Sequence, residues 1–273
     1  MDLDFENACI NHNEFFLEEV INISNVNFFT PWGLGIVCLK AIENKNKNER
    51  RIILPKNPDT LAYLKRMHFD QLLRSFGYHD QIASMGLISQ SEKENLNIHE
   101  ILHCGFRDEF TARLDSKIRK MFKNFGMNEE DEQFATAIVG ELGNNVFDHN
   151  EGLWPTEIRG AIILAQNYPK MKRIEIVIAD PGVGFLKSLK PAKQDLKNEI
   201  EAIQLGLSGV TGRVGENRGN GLILVQKWTL DKFKGILRIQ SGEGLVQVSG
   251  SGEGHGNFHD IKGTLASFVV SYS

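Results

Sequence analysis

The sequence predicts an α/β protein in two parts joined by a helical connector. A C-terminal α/β sandwich occupies 128–273, with helices on one face of a mixed sheet, and a smaller α/β lobe occupies 1–85. Three patterns carry this prediction. The first 85 residues alternate strand-like and helix-like runs. A long helical pattern beginning at 128 leads into two apolar runs, and three more strand-like runs close the chain.

Taken in order, "VINISNVNFF" at 20–29 is rich in β-branched and aromatic residues and reads as a strand. Thr30 and Pro31 then suit the cap and first turn of a helix through "WGLGIVCLKAIENK". "RRIILP" is a short strand stopped by Pro55, and Leu61, Leu64 and Met67 recur at helical spacing. Residues 86–127 form a mostly polar, helical connector. Within it Phe110, Leu114, Ile118 and Phe122 fall every fourth residue, a narrow stripe that suits packing within the molecule, with a partner helix as the alternative.

From 128 a helix runs through "EEDEQFATAIVGELGNNVFDH", followed by strands at 157–166 and 171–179. Helices near 196–207 and 219–230 precede the strands "GILRIQ", "LVQVS" and "GTLASFVVSY". "SGEG" occurs twice. At 241–244 it predicts a hairpin turn, and at 251–254 a longer, flexible loop.

Composition narrows the function classes. A formal net charge of −4 offers no general attraction to nucleic acid. No run approaches the roughly 18 apolar residues of a membrane span, and the acidic N-terminus lacks the layout of a secretory leader. Cys9, Cys38 and Cys104 are odd in number, widely spaced and without a metal pattern, which fits free thiols in a reducing compartment. The expected location is the cytoplasm.

Three stretches carry chemistry. On the helix of "ELGNNVFDHN", positions 141, 145 and 148 fall within an arc of roughly 60°. Glu141, Asn145 and Asp148 therefore share a face, an oxygen set suited to Mg²⁺ that also binds phosphates, although many helices carry a solvated polar face. "IEIVIADPGVGF" ends an apolar strand in Asp180 beside Gly182 and Gly184. A carboxylate there suits the amino group of a flat ligand, and Asp-Pro-Gly is equally ordinary turn chemistry. "GVTGRVGENRGNGLILVQK" crowds five glycines into residues 209–221 ahead of a helix. Backbone N–H groups freed at Gly219 and Gly221 suit phosphate, with Arg213 and Arg218 adding charge.

In this order the three stretches resemble the N, G1 and G2 boxes of the GHKL ATP-binding superfamily. That superfamily includes gyrase, a heat-shock chaperone, mismatch-repair ATPases, histidine kinases and anti-sigma-factor kinases. The resemblance covers about 128–273, and "KGTLASFVV" resembles the closing Gly-Thr strand of that fold. It implies ATP and Mg²⁺ as ligands, Glu141 as general base and Asn145 as the metal-binding asparagine. It further implies Asp180 on the adenine amino group, with Gly182 and Gly184 shaping that pocket. Gly219 and Gly221 become lid glycines at the triphosphate, Arg218 lies in the same lid, and Thr264 supports the adenine-side water.

The N-terminal residues resemble the STAS domains of anti-sigma-factor antagonists. Trp32 stands where the phosphoacceptor serine of those domains would fall. With the last strand-like run reaching almost to Ser273, the transducer arrangement of gyrase-like enzymes is not expected, and "HEILHCGF" lacks the proline-bearing remainder of a histidine-kinase acceptor motif. His99 and His103 are expected as ordinary surface or half-buried residues. The resemblance thus implies a cytoplasmic ATP·Mg-binding regulatory protein with ATPase or protein serine-kinase activity. Its partner would be a STAS-type or sigma-factor-related protein, with a homodimer allowed and neither nucleic acid nor membrane involved. The alternative is a non-catalytic, nucleotide-dependent protein-interaction module.

Overall fold

The computed structural model describes residues 2–5, 16–17, 19–47, 51–83, 85, 97–211 and 220–272. Cys9, Arg213, Arg218 and Gly219 lie outside these residues.

The N-terminal part contains β1 (Asp2–Leu3), β2 (Phe16–Leu17), β3 (Val20–Asn22), β4 (Phe28–Phe29), α1 (Pro31–Asn44), β5 (Arg51–Ile53), α2 (Pro58–Arg66) and α3 (Phe69–Ser75). The single strand expected at 20–29 is two strands in different sheets. β3 lies between β2 and β5, whereas β4 pairs with β1. The break has a local cause: the Asn22 side-chain oxygen accepts from the Ser24 backbone N–H at 3.2 Å and its hydroxyl at 2.8 Å, turning the chain out of the strand. Helix α1 starts as expected, with the Thr30 hydroxyl accepting from the Gly33 N–H at 3.3 Å and Pro31 in the first turn. Its surface is apolar almost all round, and all but Lys40 and Glu43 of its residues are buried. Such a helix must be covered on more than one side.

The remaining elements are β6 (Ile98–Cys104), α4 (Arg107–Arg113), α5 (Arg119–Asn124), α6 (Glu129–Asn150), β7 (Ala161–Tyr168), β8 (Arg173–Asp180), α7 (Gly184–Leu189), α8 (Glu199–Leu207), α9 (Gly221–Lys227), β9 (Ile236–Ser249) and β10 (Gly252–Ser271). The main sheet has the order β6-β7-β8-β10-β9. Every pairing in it is antiparallel, which corrects the mixed sheet expected from sequence. The short connections β7–β8 and β9–β10 permit only antiparallel neighbours.

Both faces of this sheet are covered, which corrects the expectation of helices on one face. Ile174, Ile176 and Ile178 of β8 join Ile138, Leu142 and Val146 of α6 in one core. Val177 and Ala179, pointing the other way, join Leu34, Ile36 and other residues of α1 in a second. At Gly35 an added Cβ would meet Leu265 Cδ1 at 2.7 Å, so the helix lies close against the sheet.

The connector holds a strand where only helix was expected. β6 pairs along β7, with His99 and His103 half-buried on it. The four-residue stripe packs within the molecule as expected: Phe110, Ile118 and Phe122 are buried and Leu114 is partly so. Between α4 and α5 the helix widens into a π-turn at Leu114–Ile118. Four residues advance an α-helix roughly 40° beyond a full turn. The π-turn rotates less per residue, so it returns the stripe to the same face.

Neither "SGEG" segment takes the role expected of it. The first lies inside the long strand β9, where Gly242 has φ +52 and the register shifts opposite Ile261. An added Cβ at Gly244 would meet Glu199 Cβ at 2.7 Å, so this glycine makes room for α8 rather than for a turn. The hairpin closes at Ser249 and Gly252, and the residues expected as a loop form the first part of β10. Among the described residues no helix is long and apolar enough to cross a membrane.

Candidate functional site

The candidate site lies between α6 and the part of the sheet where Asp180 ends β8 beside Thr264 of β10. Asn128 caps α6 by accepting from the Asp131 N–H at 2.9 Å. One side of the helix feeds the core through Ile138, Val139, Leu142 and Val146. Glu141, Asn144 and Asn145 are half-buried. Their side chains make no hydrogen bond among the described residues, while each lines a cleft.

The cleft has two connected chambers. The inner chamber is mainly apolar, formed by Leu142, Val146, Ile178, Phe185, Leu189 and Leu222, with Asp180 and Thr264 in its wall. The outer chamber is polar and is lined by Arg107, Glu141, Asn144, Asn145, Asp148 and Asn220. Asn145 and His149 line both.

Asp180 is the last residue of β8 and pairs across the sheet with Thr264 of β10, so strand register alone brings these two together. The Gly182 N–H donates to Asp180 Oδ1 at 2.9 Å, and the Asn150 side-chain amide donates to the same oxygen at 3.1 Å. Among the described residues no bond falls on Oδ2. Burial pushes the carboxyl up to about 7, against the pull of the Gly182 N–H and the Asn150 amide.

Asn150 is the residue that sequence reasoning missed. It ends α6, donates also to the Val146 carbonyl at 2.8 Å and accepts from the Val183 N–H at 2.8 Å. One side chain thereby ties the helix to the loop after Asp180. Gly182 permits this, because an added Cβ would meet the Asn150 carboxamide at 2.1–2.3 Å. Gly182 itself faces a separate groove on the opposite side of the loop, which Leu39 and Ile42 of α1 also line. The loop is pinned further on: the Phe185 N–H donates to Ser241 Oγ at 2.8 Å and the Leu186 N–H to Glu199 Oε2 at 3.0 Å. Gly184, at φ +78, lies against Ser241 and reaches the inner chamber.

The structure brings together seven of the nine residues to which the resemblance gives a role. Glu141, Asn145 and Gly221 border the outer chamber, Asn145, Asp180, Gly184 and Thr264 the inner, and Gly182 supports Asp180 from behind. An added Cβ at Gly221 would meet Glu141 Oε2 at 2.5 Å, so the glycine lets the carboxylate approach α9. Two further contacts had no sequence signal. Arg107 of α4 pairs with Asp148, and Ser188 Oγ hydrogen-bonds His149 Nδ1 at 2.8 Å. No protein-family model, curated protein or solved structure matches the chain. Fold and site together define a mixed α/β protein with an apolar-to-polar cleft between one long helix and an antiparallel sheet.

Proposed function

We propose that the protein is an ATP·Mg-binding regulatory protein of the GHKL type, with ATPase or protein serine-kinase activity. One observation carries the reading. Asp180 is a buried acceptor in an apolar chamber, and the carboxamide of Asn145, without a hydrogen bond among the described residues, sits where that chamber meets a polar one. A nucleotide has this layout, with a flat base bearing an amino group at one end and phosphates at the other. Asp180 would accept from the base, and Thr264, paired with it, would hold water on the same side.

The donor set also fits Mg²⁺. Among the described residues no group of three or more His, Cys, Asp or Glu side chains is arranged for an ion. A cation that brings phosphate and water ligands of its own would take one oxygen from Asn145. Bound there, Mg²⁺ would supply charge neutralisation on the phosphates. Glu141, one helical turn before Asn145, would take the proton of an attacking water or serine hydroxyl. The N-terminal residues would form the STAS-like part, and the partner would be a STAS-type or sigma-factor-related protein.

Calorimetry with Mg·ATP on the wild type and on Asp180→Asn tests the binding step. At pH 8 or above, where Asp180 is mostly ionised, replacing this acceptor-only carboxylate by an amide should cost on the order of 1.5–3 kcal/mol, or roughly ten- to a hundredfold in affinity. Unchanged affinity in the folded variant would remove Asp180 from the pocket. Single-turnover assays with γ-labelled ATP test the chemistry. Glu141→Gln should retain binding while label release or transfer falls about 10²–10⁴-fold. Tight binding without turnover in the wild type would assign the protein to the interaction-module reading.

A further inference from the structure

We propose that Arg107, delivered from outside the long helix, contacts the phosphate end of the ligand by exchanging Asp148 for a phosphate oxygen. This inference rests on the nucleotide reading and names the residue that would read the polyphosphate.

The electrostatics of the outer chamber motivate it. Its described lining includes two carboxylates, Glu141 and Asp148, and several neutral amides. A polyphosphate brought there meets repulsion that a single Mg²⁺ offsets in part. Arg107 is the one permanently cationic side chain among the described lining residues. A guanidinium offers five N–H donors in a planar fork that matches phosphate oxygens.

Position and mobility support the exchange. Arg107 opens α4, immediately after the turn that follows β6. Helix α4 is held against α6 because Gly143 leaves room for the Phe110 ring, whose Cζ lies 2.0 Å from where a Cβ would stand. One turn before Phe110, Arg107 reaches Asp148, 41 residues away in sequence, and its guanidinium stands 6.0 Å from the Phe147 ring centroid. The pair is partly exposed, with 41% of the Arg107 side chain and 23% of the Asp148 side chain accessible. Solvent reaches the guanidinium and screens its attraction to Asp148, which leaves an incoming phosphate able to compete for it. Asp148 then keeps the cation at the chamber rim and competes with the ligand for it.

The test is calorimetry of the full chain with Mg·ATP and with adenosine, for wild type, Arg107→Ala, Arg107→Lys, Asp148→Asn and the Ala/Asn double variant. Loss of Arg107 should weaken Mg·ATP roughly ten- to a hundredfold and leave adenosine unchanged. Lysine should restore only part, since it keeps the charge without the fork. Asp148→Asn should tighten Mg·ATP when Arg107 is present and much less when it is absent. Equal losses for ATP and adenosine would show that Arg107 only supports the fold, and unchanged ATP affinity in Arg107→Ala would overturn the contact. A wild type that binds adenosine but gains nothing from the phosphates overturns this proposal while sparing the base pocket. If neither ligand binds, the nucleotide reading itself falls.

Discussion

Asp180 carries its negative charge at a cost to the fold, and pH exposes that cost. Its folded pKa of about 7 lies above the ordinary 3.8. Between those values the folded state holds more protons than the unfolded state, so stability falls as pH rises through the window. The penalty is absent below the unfolded value and complete above about 7. A shift of this size corresponds to a few kcal/mol, on the order of 4. Asp180→Asn removes the titration, so the denaturation midpoint of the variant should gain on the wild type from about pH 4 to about pH 7. Parallel pH profiles would contradict the burial of this carboxyl. Glu175, also buried and pushed up to about 6, contributes to the slope of both chains and cancels in the difference. Asn150 offers a second test at this scale. Asn150→Ala strips the Val183 N–H of its acceptor and Asp180 of a donor. The expected loss is about 1–3 kcal/mol of stability, the cost of leaving buried polar groups unmade, with weaker Mg·ATP binding. A variant with wild-type melting and binding would show that the loop after Asp180 holds its shape unaided.

Among the elements, the seam between α4 and α6 depends on one missing methyl group. At Gly143 an added Cβ would meet the Phe110 ring edge at 2.0–2.7 Å, well inside contact distance. Gly143→Ala should therefore destabilise by roughly 1–3 kcal/mol, as overpacking does, despite the better helix propensity of alanine. Phe110→Leu in the same chain should recover part of the loss by vacating that volume. A Gly143→Ala protein more stable than wild type in thermal unfolding would mean that α4 is free to move away. In "EFTARLDSKI" a stripe at every fourth residue is visible, and its demand for a π-turn follows from helix geometry. The pairing of Phe110 with Gly143 has no such trace, because neither residue type signals the other.

For the whole molecule, the decisive feature is a sheet covered on two faces. The first core joins α1 to Leu164, Val177, Ala179 and Leu265, and the second joins α6 to Ile163, Ile176, Ile178 and Phe268. Expression of 97–273 alone would uncover the face that α1 protects. That fragment should self-associate or expose apolar surface, visible in light scattering and dye binding, because contiguous apolar faces of this kind rarely stay open to water. A monomeric fragment with a cooperative unfolding transition would show instead that the sheet needs only its α6 side. The same geometry puts α1 beside the loop of Asp180, through the groove that Ile42 shares with Gly182.

Local signals in the sequence determined most helices, the Thr30 cap of α1 and the strand that ends in Asp180. Thr30 with Pro31 and the apolar period of residues 129–150 act within one or two turns, so neighbouring letters suffice to read them. Glu141 and Asn145 were likewise legible as one helix face, and Asp180 as a carboxylate at a strand end. The tertiary structure alone decided what those residues meet. The antiparallel register pairs Thr264 with Asp180, Asn150 crosses thirty residues to hold that carboxylate, and Arg107 crosses 41 to reach Asp148. It also decided that "SGEG" at 241–244 is a bulged strand giving way to α8, and that residues 98–104 form an edge strand. A spacing rule reports on the element to which a residue belongs. Contacts between elements depend on register and close approach, which are set when the whole chain packs.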